Sequence, residues 1–165
     1  MRRPVITLFI ALAALLVAYT PASNGTPETA AAAPVMVVPD SINWKDQAPG
    51  LPPGVKRVLL VGDPAKAGPY VERIQFPAAG IRIAPHWHTS SENVTVLSGT
   101  MAVGVGDTFD QAAMRDVPAG SYYLVPPRVR HYLMSKSAAI IQVHGIGPMS
   151  RVFVNPAADL HDQAK

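Results

Sequence analysis

Hydrophobic and polar positions alternate over short distances through most of the chain after residue 56. Each apolar run is short and ends at a turn signal such as Gly62-Asp63-Pro64 or Pro118-Ala119-Gly120. Because every second side chain of a strand shares a face, this period predicts strands that are packed on one side. No long amphipathic helix interrupts the series, which indicates an all-β sandwich or small barrel. The predicted strands are 57–61, 70–76, 81–88, 94–97, 101–105, 122–125, 131–134, 138–144 and 151–154.

Two connections between these strands have recognisable turn chemistry. Ser98-Gly99 separates two apolar runs, and Gly99 can adopt the positive φ that a tight hairpin requires. That hairpin would fix the strand that begins near Glu92. The polar stretch 107–117 predicts a single helical turn starting near Asp110.

The first 22 residues are typical of a secretory signal peptide. Arg2 and Arg3 give a positive start, and residues 5–18 form an uncharged apolar run. Thr20-Pro21-Ala22 offers a cleavage point, with cleavage within 30–33 as an alternative. A retained membrane anchor is the other alternative, although the apolar run is shorter than the ~20 residues that span a bilayer. We therefore expect an exported protein, periplasmic or secreted.

Composition sets the remaining boundaries. Residues 23–40 are rich in Ala, Pro and Thr and predict a disordered linker, because prolines interrupt the alanine run. Residues 41–165 suffice for one domain but not for two. The chain contains no cysteine, which excludes disulfides and lipid attachment at a cysteine. Loss of the signal segment lowers the formal net charge from +3 to +1, and no basic stripe with aromatic residues is present, so nucleic-acid binding is not predicted.

The residues with the clearest chemistry lie between positions 80 and 135. His86 and His88 share one face of an extended strand with Cα atoms roughly 7 Å apart, and two imidazoles at that spacing can bind one ion at about 2.1 Å per bond. Glu92 follows a polar turn and can add a carboxylate oxygen, and His131 is the candidate for a fourth ligand. Three imidazoles and one carboxylate suit one divalent transition metal, either Fe, Mn, Ni, Cu or Zn. Alternatively, these histidines are ordinary polar residues that are satisfied by hydrogen bonds in a β-rich core.

The spacing of these residues resembles the two motifs of the cupin superfamily. Gly80-x5-His86-x-His88-x3-Glu92-x6-Gly99 matches every fixed position of the first motif. Gly120-x5-Pro126-x-Arg128-x2-His131-x3-Ser135 is similar to the second motif, with Arg128 in place of a glycine and Ser135 in place of an asparagine. Neither departure affects a metal ligand. A left-handed conformation at Arg128 would cost about 1 kcal/mol or more, which favours a different turn in that loop.

The resemblance implies a double-stranded β-helix, or jelly-roll cupin barrel, over residues 41–165, with a metal held by the three histidines and Glu92. The ending 142–148, together with Val154-Asn155-Pro156, is similar to small exported single-domain cupins. Cupin-like barrels often pair through an edge strand, so the resemblance also implies a homodimer, in which residues 41–44 could cross to a partner.

A metal with four protein ligands keeps one or two positions for water, dioxygen or substrate. The candidate catalytic residues around it are Gln142, His144 and Tyr122. Gln142 can instead hold a histidine tautomer, and His144 can be a satisfied polar residue at a strand end. Only one of Tyr122 and Tyr123 can face inward, because neighbours in a strand alternate. Arg82, Arg128 and Arg130 are further pocket candidates, the last two with solvated loop charges as the alternative.

Three functions are compatible with these residues. The first is a metal-dependent, dioxygenase-like oxidoreductase acting on a small organic substrate. The second is a non-redox isomerase, lyase or hydrolase, in which the metal is a Lewis acid and His144 or a tyrosine is the base. The third is a non-catalytic module that binds or senses a small molecule. The sequence does not separate them, because a fold does not specify a function, and we favour an enzyme.

Overall fold

The computed structural model describes residues 33–46 and 50–159. The chain divides into two units, residues 1–34 and 35–165, and the fold described below belongs to the second. The predicted signal segment and most of the predicted linker lie outside the described residues. No helix among the described residues is long and apolar enough to cross a bilayer.

The described residues form eleven strands and three short 3-10 turns, with no α-helix among them. The turns are Pro39–Ser41, Gln111–Ala113 and Pro156–Asp159. The strands are β1 (Lys45–Asp46), β2 (Lys56–Val61), β3 (Gly68–Phe76), β4 (Arg82–His88), β5 (Glu92–Ser98), β6 (Thr100–Val105), β7 (Arg115–Pro118), β8 (Tyr122–Val125), β9 (His131–Ser135), β10 (Ala139–Gly147) and β11 (Arg151–Phe153).

These strands build two antiparallel sheets. The six-stranded sheet has the order β1-β2-β3-β10-β5-β8, and the five-stranded sheet has the order β11-β4-β9-β6-β7. Consecutive strands repeatedly change sheet, as β4 and β5 do, so neighbours in a sheet are mostly distant in sequence. This arrangement is the expected all-β jelly-roll barrel.

The core lies between the two sheets, and alternation along the strands selects its residues. In β3, the buried side chains are Tyr70, Glu72, Ile74 and Phe76, and the residues between them are only partly covered. In β10, Ile141 and Val143 are buried in the same way. Each large apolar side chain that is buried stabilises the fold by about 1.5–3 kcal/mol relative to exposure. Glu72 is the one charged member of the β3 set, and it marks a place where the interior is not apolar.

The nine predicted strands all occur, with ends shifted by up to three residues. The sequence prediction missed β7, whose Arg115 and Asp116 are exposed at the edge of a sheet. It also missed the two-residue strand β1. Gly99 has the predicted positive φ, 71°, but the predicted hairpin is wrong, because β5 and β6 belong to different sheets and pair with other strands. The helical turn near Asp110 is confirmed as Gln111–Ala113, where the Ala112 amide donates to Asp110 Oδ1 at 2.9 Å.

The two departures in the second motif have local structural roles. Arg128 adopts the left-handed conformation with φ of 65°, so the expectation of a different turn there is wrong. Its amide donates to the carbonyl of His88 at 2.9 Å, which ties the loop to β4 and opposes the local strain. Ser135 Oγ donates to the Ala78 carbonyl at 2.7 Å and accepts from the Ile81 amide at 3.1 Å. These bonds hold the loop that precedes β4.

Candidate metal centre and its cavity

Strand β4 brings His86 and His88 to the interior through an irregularity just before them. Ile83 lies opposite Leu133 of β9, whereas His86 lies opposite His131, so β4 carries one extra residue between the two pairs. This bulge keeps Ile83 and His86 on one face although they are three residues apart. His86 and His88 are 1% and 0% exposed. They are therefore fixed core side chains.

Two of the imidazoles are oriented by the carbonyl group of the residue two positions earlier in the chain. Nδ1 of His86 lies 2.7 Å from the Ala84 carbonyl oxygen, and Nδ1 of His131 lies 3.1 Å from that of Val129. A carbonyl only accepts, so each Nδ1 carries the proton and donates it. Each Nε2 then carries a free lone pair, which is the form in which histidine binds a metal.

The carboxylate comes from the other sheet. Glu92 is the first residue of β5, and its Oε2 lies 3.5 Å from Nε2 of His88 and 3.4 Å from Nε2 of His131. Because β4 and β9 belong to the five-stranded sheet and β5 to the six-stranded one, the cluster joins the two layers of the barrel.

The cluster fits a transition-metal ion. One ligand atom from each of His86, His88 and His131 can be chosen so that all lie within 4.8 Å of one another. Ligands at about 2.1 Å from a common ion lie roughly 3.0–3.4 Å apart, close to the measured separations from Glu92. Nε2 of His88, Nε2 of His131 and Oε2 of Glu92 are buried without a hydrogen-bond partner. Buried polar atoms are rarely left so, and an ion bound between them would satisfy all three.

His86 and Glu92 already have the charges that metal binding requires. Burial holds the pKa of His86 well below its usual value, and nearby Arg151 and His131 lower it further, so the ring stays neutral. Burial opposes ionisation of Glu92, but polar contacts from His131 and His88 outweigh it and hold the pKa of Glu92 well below its usual value. His86 therefore offers a neutral nitrogen, and Glu92 offers an ionised oxygen.

A cavity of about 380 Å³ opens beside the cluster and reaches His88. Its charged lining consists of Arg57 from β2, Glu72 from β3 and Arg151 from β11. Arg151 lies opposite His88 in the pairing of β11 with β4, and its Nη1 donates to the Gly50 carbonyl at 2.8 Å. The cavity is of the size at which small-molecule sites begin.

Glu72 is the buried acid of this cavity. It is 4% exposed, and Oε2 lies 3.6 Å from Arg57 Nη1, beyond hydrogen-bond length, so this atom has no hydrogen-bond partner. Burial raises the pKa of Glu72, while the positive charges of Arg57 and Arg151 only partly oppose the rise. A carboxyl group whose pKa moves toward neutrality suits proton transfer.

Two buried tyrosines lie near the carboxylates. The hydroxyl groups of Tyr70 and Tyr123 have no hydrogen-bond partner, and burial followed by the charge of Glu92 raises the pKa of each. Tyr70 lies opposite Gly145 in the sheet, and a Cβ at Gly145 would lie 2.9 Å from the Tyr70 hydroxyl. The missing side chain of Gly145 leaves room for this ring.

The structure does not place the three predicted catalytic residues in the site. Tyr122 is 57% exposed and its hydroxyl donates to Asn93 Oδ1 at 2.7 Å, whereas Tyr123 faces inward. Gln142 and His144 do share a face of β10, but it is the outer face, because Ile141 and Val143 occupy the inner one. Gln142 Oε1 accepts from Arg73 Nε at 3.1 Å on that outer face. These assignments are corrected accordingly.

The predicted arginines also lie away from the cavity. Arg82 is exposed, because the bulge in β4 reverses its face relative to His86, and its guanidinium lies 4.9 Å from the ring centre of Phe109. Arg128 is exposed, and exposed Arg130 pairs with Asp107 at 2.8 Å. The structure therefore supports solvent-facing charges for both loop arginines.

Sequence reasoning missed Arg57, Glu72 and Arg151, together with Tyr70. One signal was present for two of them: Tyr70 and Glu72 share the period of Ile74 and Phe76, so an acid occupied an inward position of a strand. For Arg57 and Arg151 there was no comparable signal, because each lies on a strand distant in sequence from the histidines.

Comparison with known proteins agrees with this fold. A family model described as the cupin domain matches residues 73–144. No curated protein matches the chain. Among solved structures, a proposed acetylacetone dioxygenase from Methylibium petroleiphilum is 23% identical, with 74% of this chain and 82% of that chain covered and a TM-score of 0.57.

Two further solved structures are similar. An RmlC-like cupin from Shewanella frigidimarina is 20% identical, covers 70% of this chain and 94% of its own, and has a TM-score of 0.53. The polyketide cyclase RemF from Streptomyces resistomycificus is 17% identical, covers 75% and 89%, and has a TM-score of 0.58. At these identities the likeness is one of fold.

Proposed function

This chain belongs to the cupin superfamily, and on that premise we propose that it is a metal-dependent enzyme that acts on a small organic substrate. One observation carries the proposal: His86, His88 and His131 are close enough to hold one ion, Glu92 contacts two of them, and buried atoms of His88, His131 and Glu92 have no hydrogen-bond partner beside a cavity of about 380 Å³. The same cavity holds a buried acid and two arginines, which a purely structural ion would not need.

Each side chain has a distinct task in this proposal. An ion bound by the four ligands supplies a Lewis acid and, if it is redox-active, an electron-transfer centre. Arg57 and Arg151 orient the substrate by charge, and Glu72 holds or moves a proton at its Oε2 atom. The buried hydroxyl of Tyr70 can donate a hydrogen bond toward the carboxylates that raise its pKa.

The first form of this activity is a dioxygenase-like oxidation. A site of three imidazoles and one carboxylate suits iron, nickel or copper, and the fold is shared with the proposed acetylacetone dioxygenase. This form requires a redox-active ion and consumes O₂ only in the presence of its substrate. Oxygen-electrode measurements on protein loaded separately with Fe, Cu, Ni and Zn therefore test it, since activity with Zn equal to that with Fe would exclude it.

The second form is a non-redox isomerase or lyase reaction, which Glu72 specifically favours. A buried carboxyl group with a raised pKa is suited to removing and returning a proton next to a polarised carbonyl. Exchange of substrate protons for deuterium, followed by NMR, measures this step. We expect Glu72→Gln to reduce the exchange at least a hundredfold with the metal content unchanged.

Metal analysis of the purified protein comes before either assay. We expect about one transition-metal ion per chain by mass spectrometry, and its loss in His86→Ala but not in His144→Ala, whose side chain is on the outer face. A metal-free wild type would overturn the proposal. Ligand binding without turnover would instead support a sensing module.

We also propose that the protein is exported, because residues 1–22 have the features of a signal peptide. Mass measurement of the N-terminus after expression in a bacterium with a periplasm would test this, with cleavage after Ala22 as the expected result. A homodimer remains part of the proposal from the cupin fold. Light scattering after size exclusion decides it, since a monomer at every concentration would rule it out.

A further inference from the structure

Among the described residues that line the cavity beside His88, two are arginines. Arg57 and Arg151 both line it, and both are close enough to Glu72 to lower its pKa, although burial raises it more. The Arg57 side chain lines the cavity and is 33% exposed. Two guanidinium groups on one cavity wall favour an anionic ligand, because guanidinium groups match carboxylates in geometry and charge.

Glu72 adds a second requirement on the ligand. The carboxyl group is buried, and its Oε2 has no hydrogen-bond partner and lies 3.6 Å from Arg57 Nη1. An apolar ligand over this atom would leave it unsatisfied, at a cost of about 1–3 kcal/mol. A hydroxyl group both donates and accepts hydrogen bonds, so it fits Glu72 in either protonation state.

The remaining lining sets the size and the third feature. Met149, Phe153 and Pro64 give the cavity an apolar side. At about 30 Å³ for each water-sized group, 380 Å³ holds roughly a dozen non-hydrogen atoms. The ligand therefore combines a charged end with a short apolar body.

Resting on the proposed function, we propose that the cavity binds a small hydroxycarboxylic acid with an apolar portion. Its carboxylate lies at Arg57 and Arg151, its hydroxyl group lies at Glu72, and its apolar portion lies against Met149 and Phe153. This orientation places the polar end of the acid on the side of the cavity that carries the charged residues.

Calorimetric titration of the metal-loaded full chain with three matched probes tests this inference. Mandelate carries the carboxylate, the hydroxyl group and an apolar ring within eleven non-hydrogen atoms, about the capacity given above. Mandelamide lacks the charge, and phenylacetate lacks the hydroxyl group. We expect mandelate to bind at least tenfold more tightly than either. Equal affinity for mandelate and mandelamide, or no binding of mandelate, overturns the proposal.

Variants assign each preference to a residue. Arg57→Gln should reduce the advantage of mandelate over mandelamide to less than threefold, and Glu72→Leu, which removes both hydrogen-bonding atoms, should reduce its advantage over phenylacetate. Arg115→Gln is the matched control, because Arg115 is exposed on β7 away from the cavity lining, and it should bind mandelate as the wild type does. If Arg57→Gln fails to fold with Glu72 left charged, the double variant Arg57→Gln/Glu72→Gln removes both charges and should lack the preference for mandelate over mandelamide. Unchanged selectivity in a folded Arg57 variant would overturn the inference.

Different experimental results would contradict the proposed ligand class and the proposed enzymatic activity. A protein that holds its metal and turns over another substrate, yet does not distinguish mandelate from mandelamide, contradicts only the ligand class. A protein that selects mandelate with the expected dependence on Arg57 and Glu72, but never turns over any hydroxy acid, retains the binding site and contradicts the enzyme.

Discussion

Two side chains in this protein occupy conformations or surroundings that their chemistry does not favour. Arg128 has a positive φ at a position where glycine is the usual residue of the resembled motif. Glu72 is an acid on the inner face of β3, between apolar neighbours of the same period. Backbone strain and buried charge concentrate at functional sites. Arg128 is hydrogen-bonded to β4, which carries His86 and His88, and Glu72 lines the cavity.

The effect of a substitution at Arg128 on stability should depend on how well the new residue tolerates a positive φ, and not on its charge. We expect Arg128→Gly to be at least as stable as the wild type and Arg128→Val to lose about 1–2 kcal/mol of unfolding free energy, because a β-branched residue tolerates positive φ poorly. Arg128→Lys should be unchanged, since it keeps the same strain. Chemical denaturation measures the series, and a stable valine variant would contradict the left-handed conformation.

Glu72 gives a dependence on pH with a defined sign. Burial raises its pKa above the ordinary value of 4.5, so the folded protein holds the proton more tightly than the unfolded chain does. Its contribution to stability is therefore fully present below about pH 4.5 and is lost as the pH rises through the raised pKa. We expect Glu72→Gln to melt about 2–4 °C above the wild type at pH 7 and to show no gain at pH 4.

Thermal unfolding followed by circular dichroism at both pH values checks this expectation. Asp116→Asn, an exposed acid on β7, serves as the control and should show no such difference between the two pH values. A Glu72→Gln variant that is less stable at pH 7 would show that attraction to Arg57 exceeds the cost of burial.

At the scale of elements, alternation and turn chemistry predicted most of the fold. The run 122–125 has the predicted ends, and Gly99 has the predicted positive φ, although the turn there joins two sheets and is not a hairpin. Strand β7 was missed because Arg115 and Asp116 face solvent on both sides of an edge strand, so no apolar period marks it. Alternation along β10 also predicted that Gln142 and His144 share a face of the strand. It could not predict whether that face is the inner or the outer one, because this depends on which side of β10 the other sheet packs against.

The turn at Gly99 between β5 and β6 allows steric overlap to be separated from backbone strain. A Cβ at Gly99 would lie 2.1 Å from the Ala138 carbonyl oxygen, whereas one at Gly120 would meet nothing within 4 Å, although both have positive φ. We expect Gly120→Ala to lose about 1 kcal/mol and Gly99→Ala to lose at least about 2 kcal/mol more. If urea denaturation shows equal losses of unfolding free energy for the two variants, the backbone of the turn at Gly99 shifts to accommodate the added Cβ.

At the scale of the molecule, the metal cluster was predictable and its cavity was not. His86, His88, Glu92 and His131 lie in motifs whose spacing is visible in the chain. The cavity depends on residues from β2, β3 and β11, which come together only because strands distant in sequence face each other across the barrel. No local pattern carries that information.

Metal removal should lower the stability of the whole domain. An ion that binds only the folded state stabilises it by about 2.7 kcal/mol at a hundredfold excess over Kd, which corresponds to a rise in Tm of roughly 5–10 °C. We therefore expect chelation to lower the Tm of the wild type and of His144→Ala equally, and to leave that of His86→Ala unchanged. A chelator effect that persists in His86→Ala would place the ion elsewhere.

The ligands of the cluster come from opposite layers of the barrel, three from one sheet and one from the other. A bound ion would thus link the two sheets. Separating the sheets at this end would first require the bond between the ion and Glu92 to break. Metal binding would then make the entrance of the cavity more rigid. The range of small molecules that can enter would therefore depend on the metal concentration around the protein.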